Sequence, residues 1–183
     1  YLAGNISTKN QLRFLNTSGT KTITSNGKQI STFSRYGTGG TTQLLDAIII
    51  GGSFVMDNGN VDFNGMNVSM YNSAISSGTL TMGSSNVTVA SDWNFLTSAT
   101  ISCGTSTIHI TNSSATTSTF VGGSKVYYNL YYDGTTGGGI ISGSNTFTNL
   151  KLAPTSSKTY QFTNARTQTI TGDFIAKGTA SIT

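Results

Sequence analysis

Three passes of the sequence read almost alike: Gly59-Asn-Val-Asp-Phe63 with Asn67-Val-Ser-Met70, Gly78-Thr-Leu-Thr-Met82 with Asn86-Val-Thr-Val89, and Ala99-Thr-Ile-Ser-Cys103 with Thr107-Ile-His-Ile110. Each pass holds two short runs in which apolar and polar residues alternate, the period of a strand with one buried face. A small polar corner separates the runs. Self-similarity at about 20 residues marks a chain that stacks coil on coil, because one such coil cannot bury its apolar face alone.

The repeat extends in both directions. Ile30, Ile50, Met70, Val89, Ile110, Leu130, Leu150 and Ile170 recur at spacings of 20, 20, 19, 21, 20, 20 and 20, and all eight are apolar in a chain that is 36% hydrophobic. Ser124-Lys-Val-Tyr-Tyr-Asn129-Leu130-Tyr-Tyr132 also aligns with Ser144-Asn-Thr-Phe-Thr-Asn149-Leu150-Lys-Leu152 at a spacing of 20. Asn129 and Asn149 then share one place in successive coils. Two readings of them stay open: a hydrogen-bonded ladder along the stack, or unrelated corner residues, since Asn tolerates left-handed backbone.

Twenty residues accommodate three short strands and three corners, and stacked strands pair in parallel at a spacing of ~4.8 Å. The expected fold is all-β: a right-handed, three-sided parallel β-helix of about 20 residues per coil. It is expected over residues 30–183, with 1–29 as an irregular N-terminal β segment or cap. Neither the hexapeptides of left-handed helices nor the glycine-aspartate nonapeptides of calcium rolls occur. A β-sandwich also has short, closely spaced strands, but it has no reason to hold one register along the chain. The phase points Val61, Phe63, Val68, Met70, Leu80, Met82, Val87, Val89, Trp93, Phe95, Ile101, Ile108 and Ile110 inward. It points Asp62, Ser69, Thr81, Thr88, Ser102 and His109 outward.

Composition agrees. Only 9% of the 183 residues are charged, where about 25% is usual. There is no Glu, and Ser, Thr, Asn and 22 Gly fill the deficit. β-Branched and turn residues outnumber helix formers. The formal charge of +4 is uneven: Lys9, Arg13, Lys21, Lys28 and Arg35 precede the first acid, Asp46. These cations are single and dispersed, without the clustering that nucleic-acid binding needs, and read as a solvated basic edge. No apolar run approaches the roughly 18 residues of a membrane helix. The chain opens at Tyr1 without Met, which reads as processing or as a piece of something longer.

Candidate chemistry is sparse. Asp57 and Asp62 are the candidate catalytic pair, since paired carboxylates serve glycan cleavage, but no Arg or Lys lies within a coil of them. Asp57-Asn-Gly-Asn-Val-Asp62 lacks the alternating ligands and closing acid of a calcium loop. His109 is the single histidine and faces outward. Cys103 is the single cysteine and shares the phase of Ile101, so it is expected inside. No zinc set, phosphate loop or nucleophile elbow is present, so no metal, cofactor or enzyme activity is expected. Thr79-x-Thr81 above Thr100-x-Ser102 suggests the start of a threonine array of the kind that orders water, without a long continuation. Tyr127, Tyr128, Tyr131 and Tyr132 form the densest aromatic cluster, and Tyr127 and Tyr131 are the candidates for contact with a glycan or another subunit. The glycine-rich stretches Tyr36–Gln43 and Thr135–Gly139 are expected to be corner loops.

The tail from Thr159-Tyr-Gln-Phe-Thr-Asn-Ala-Arg to Ile175-Ala-Lys-Gly178 resembles repeats of large extracellular bacterial surface proteins and of phage structural proteins. Val126-Tyr-Tyr-Asn-Leu130 with Phe147-Thr-Asn-Leu150 does so too, and the likeness covers roughly residues 44–183. The resemblance implies an appendage: a tail fibre, a virion decoration or an adhesin stalk, at the cell or virion surface and often trimeric. It carries no site residue. The expected function is a non-enzymatic spacer and attachment surface working as a homo-oligomer, with a trimer favoured, or with other appendage subunits. A host-surface glycan is a possible partner. A glycan-binding or glycan-degrading tailspike-like helix and an ice-binding solenoid are the alternatives. The tail Thr179–Thr183 is still in repeat style, and an open strand edge aggregates unless covered. Further domains or subunits are therefore expected beyond it.

Overall fold

The computed structural model describes residues 11–112, 116–133, 137–177 and, for its backbone, 180–182. They form a β-solenoid of about 8 turns, with every strand pair parallel and no helix among the described residues. Lys9, the ends of the tail at Thr179 and Thr183, and Thr135 of the second glycine-rich stretch lie outside the described residues.

The ladders resolve into three walls. Wall 1 begins as the sheet of Thr20–Ile23, Thr41–Leu44, Asn60–Asp62, Thr79–Thr81 and Thr100–Ser102. Wall 2 runs from Gln29–Ile30 through the leading parts of Ile48–Met56 and Val68–Ile75 to Asn86–Val89 and Thr107–Ile110. It continues through the trailing parts of Val126–Asp133 and Thr146–Ala153 to Phe174–Ala176. Wall 3 starts with Gln11–Phe14, Thr32–Arg35 and the trailing parts of Ile48–Met56 and Val68–Ile75. It passes through the bridge from Ile75 to Phe95 to Trp93–Asn94, Ser118–Val121, Gly139–Ser142, Lys158–Phe162 and Ala180–Ile182. The strands of residues 11–23 thus pair in the same walls as the coils that follow.

Alternation sets what each wall buries. The inward partners on wall 2 are Ile50, Met70, Val89, Ile110, Tyr132 and Leu152, all fully buried. The 20-residue column therefore needs two corrections. Ile110 pairs with Tyr132, not Leu130, because the corner between Thr107–Ile110 and Ser118–Val121 is long. Leu150 pairs with Phe174, while Ile170 pairs with Phe147, because residues 163–168 lengthen the last corner. The coil averages about 21 residues rather than 20. Wall 3 buries the larger rings: Phe33 stacks on Phe54 at 4.9 Å, and Trp93 lies parallel to Phe120 at 6.3 Å. Dispersion and water exclusion along these columns are the main source of stability, at about 1.5–3 kcal/mol per large buried side chain. Pro154 follows Thr146–Ala153 directly, where its missing N–H breaks no ladder.

Candidate functional site

The outer face of wall 2 carries a linked cluster of polar and charged side chains. Register places His109 beside Tyr131 and Tyr131 beside Lys151 on three successive coils. Asp133 lies two residues beyond Tyr131 and so on the same face. Its Oδ2 accepts from His109 Nδ1 at 3.2 Å and its Oδ1 accepts from Lys151 Nζ at 2.7 Å. The His109 and Tyr131 rings meet edge to face at 5.5 Å, and Lys151 Nζ stands 5.5 Å from the Tyr131 ring centre. The His109, Asp133 and Lys151 side chains remain about 30% exposed. With Asp133 as acceptor, the neutral imidazole carries its proton on Nδ1 and keeps Nε2 as an acceptor.

Sequence pattern alone leaves His109 without partners, because a strict spacing of 20 sets it against Asn129. The signal was the two-residue lengthening of the following corner, which moves Tyr131 to its side and brings Asp133 within reach. A base oriented by a carboxylate is half of a hydrolytic triad. Among the described residues no hydroxyl or thiol is hydrogen-bonded to His109, so the nucleophile is not in place.

A second row flanks the cluster. Asn149 Nδ2 donates to Asn129 Oδ1 at 2.8 Å, and Asn129 Nδ2 donates to Thr107 Oγ1 at 2.9 Å. Asn149 Oδ1 accepts from the Asp173 N–H at 2.9 Å. The ladder reading of these asparagines holds, and it spans four coils. Asn86 precedes Thr107 in register, so the row continues toward the first half without the amide links.

The other expected residues are placed as follows. Tyr127 is corrected: it is 1% exposed, packs on Phe120 and Phe147, and donates its hydroxyl to Gly122 O at 2.9 Å. Buried in the core, it has no face left for an outside partner, and burial pushes its phenol far up. The reason is register, which pairs it with the inward Phe147. Tyr131 stays at the surface. Asp57 and Asp62 are not brought together. Asp57 Oδ1 accepts from Ser76 Oγ at 2.5 Å in a corner, while Asp62 Oδ2 accepts from Gln43 Nε2 at 2.8 Å on wall 1.

Cys103 is half-exposed rather than buried. It follows Met82 in an inward column, and the backbone of Tyr128 in the next coil lies against its sulfur, but it sits just past Thr100–Ser102, the edge strand of the wall 1 sheet, and is only partly covered. Partial burial still pushes its thiol up, which disfavours a reactive thiolate. Among the described residues no group of three His, Cys, Asp or Glu gathers to hold a metal. Among the described residues no helix is long and apolar enough to cross a membrane.

Two corners hold unexpected electrostatics. Arg35 stands in an inward column between Phe14 and Met56 and is 0% exposed, not part of a solvated edge. Its guanidinium donates to the carbonyls of Gly39, Gly40 and Phe14. The glycine-rich loop after it is therefore a carbonyl cage, and its last residues, Thr41–Gln43, belong to a strand. Gly59 lies against the same group; a Cβ there would strike the guanidinium and Gly37 O. Burial lowers the pKa of Arg35. Asp46 accepts from the N–H groups of Ser25 and Asn26, both at 2.7 Å, and from Ser25 Oγ. Burial would raise its pKa, yet these donors outweigh it and hold the carboxyl below its ordinary value.

The outer face of wall 1 is a regular two-column array. One column is Thr20, Thr41, Asn60, Thr79 and Thr100; the other is Thr22, Gln43, Asp62, Thr81 and Ser102. It runs five coils, longer than the sequence pattern suggests, with the Gln43–Asp62 bond interrupting its middle.

Comparison with protein-family models, with curated proteins and with solved structures gives no match. The repeat architecture stands on the chain's own register.

Proposed function

We propose that the chain is a non-enzymatic, rigid segment of an extracellular appendage, such as a phage tail fibre, a virion decoration or an adhesin stalk, which spaces its ends and presents its walls for attachment. The observation that carries this reading is the continuity of the stack. Parallel walls run through about 8 turns over one apolar core, giving a rod of ~40 Å. The resemblance of its repeats to surface and virion proteins supports the same reading, as does the lack of an assembled catalytic set among the described residues. The working form is a homo-oligomer, with a trimer favoured, or a complex with other appendage subunits.

The test is mass and shape in solution together with a glycan hydrolysis screen. An elongated β-rich trimer without turnover is expected. A helical far-UV spectrum would sink the rod. Turnover that disappears in Asp57→Asn or Asp62→Asn would replace this reading with a tailspike-like hydrolase.

Ice binding is a second reading, favoured by the five-coil threonine-rich array on wall 1. It predicts thermal hysteresis that a bulky substitution, Thr79→Tyr, removes.

A further inference from the structure

Resting on the attachment reading, we propose that the outer face of wall 2 is a binding site for a neutral, extended polysaccharide lying along the solenoid axis, centred on His109, Tyr131, Asp133 and Lys151.

Three features identify the ligand class. The first is charge. Asp133 is bonded to both Lys151 and His109, so the cluster carries no free charge to attract a polyanion. In the coils before it, Ser69 and Thr88 hold the same row and are uncharged. The second is hydrogen-bonding character. Side-chain amides, an imidazole, a carboxylate and an ammonium offer mixed donors and acceptors, the pattern that vicinal hydroxyls satisfy. The face holds few large apolar side chains of the kind that form the centre of a protein–protein interface. The third is periodicity. Groups in register recur at ~4.8 Å along the axis, close to the residue repeat of an extended β-1,4-linked glycan. Successive sugars can therefore meet successive rungs of polar side chains. A shallow trough lined by Ile49, Asn67, Ser69, Asn86 and Thr88 continues the track into the first half.

The two flanks have distinct roles. The Asn129–Asn149 ladder holds one edge rigid, since each amide is fixed by the next coil. Tyr131 stands between His109 and Lys151, with Lys151 Nζ over one ring face and His109 in an edge-to-face contact. It thus offers its edge and hydroxyl rather than a stacking platform. Recognition is accordingly polar along its whole length, and the contact is weak per sugar and additive along the chain.

Affinity electrophoresis of the intact chain through gels containing hydroxyethylcellulose or glucomannan tests this. Retardation is expected in at least one gel, weakened roughly tenfold in apparent Kd by Asp133→Asn or Tyr131→Ala. Asp57→Asn, on another part of the surface, should leave it unchanged. His109→Gln is the conservative check should Asp133→Asn lower the melting temperature. No retardation in either gel would overturn the proposal, as would retardation that these variants do not alter. Retardation by polygalacturonate alone, abolished by salt, would also overturn it by showing a charge-driven surface. Mass and circular dichroism on the same samples keep the two readings apart: an intact oligomeric rod that ignores both glycans removes the site and leaves the appendage standing.

Discussion

In the first half of the solenoid walls 2 and 3 share their strands; in the second half walls 1 and 2 do. Ile48–Met56 bends from wall 2 into wall 3 at residues 51–52, where the register of its pairing shifts. Val126–Asp133 and Thr146–Ala153 instead bend from wall 1 into wall 2, and two adjacent outward residues, Tyr128-Asn129 and Thr148-Asn149, mark that corner. Each half therefore has one corner made by bending a strand and others made by turns. The exchange takes place around Trp93–Asn94 and Thr100–Ser102, where one sheet begins and another ends. A stack of coils does not need its corners to be alike. It needs only the inward columns to stay filled, and Trp93 with Phe120 fills them across the exchange.

The largest expected effect tests that joint. Trp93→Ala should cost about 3–5 kcal/mol, equivalent to roughly 6–20 °C in melting temperature for a chain of this size. Because coils contact only their neighbours, the halves should then melt in two steps. Calorimetry reads both results. A single transition with a small shift would mean that the halves are joined elsewhere.

The next largest effect separates a buried cation from its column. Arg35→Leu keeps the apolar column of the first half filled but leaves the carbonyls of Phe14, Gly39 and Gly40 without their donor. A loss of about 2–3 kcal/mol is expected from the unsatisfied groups. Equal stability in the variant would show that water or the relaxed loop replaces the guanidinium. In the second half the comparable device is neutral. Asn149→Ala removes one donor and one acceptor from the ladder and should cost about 1–2 kcal/mol. Ser69→Ala, on the same wall of the first half, should leave the melting temperature unchanged.

How much of this was legible follows from where strands bend. Alternation within each short run fixes inside and outside, which is why Val61, Leu80, Val87, Trp93 and Ile108 fall in the core as their phase predicts. Corner length carries no such pattern. The long corner after Ile110 moves every later residue by two places, so the sequence hides the meeting of His109 with Tyr131 and of His109 with Asp133. Tyr127 and Cys103 show the complementary failure. Period-2 reasoning gives the side of a strand, but burial also needs a neighbouring strand in register, which Phe147 supplies for Tyr127, whereas Cys103 sits past the end of the edge strand Thr100–Ser102. Arg35 was readable in principle, standing 21 residues from both Phe14 and Met56. A charged residue in an apolar column is simply an unusual choice, and it makes sense only with the glycine carbonyls around it.

The smallest effect concerns the corner that links the first two coils through Asp46. Its carboxyl pKa is lowered by the N–H groups of Ser25 and Asn26 and by the Ser25 hydroxyl. A group whose folded pKa lies below its unfolded value adds stability that is fully present above the unfolded value, near 3.9 for Asp. That stability is lost as pH falls through the folded value, once protonation removes the acceptor charge. The melting temperature should therefore fall below about pH 4. Asp46→Asn should melt slightly lower than the parent at neutral pH, and the gap should close as the pH is taken down. The carboxylate is partly exposed, so solvent screening keeps the gap small. A gap that persists unchanged at low pH would assign the contribution to the shape of the corner rather than to its charge.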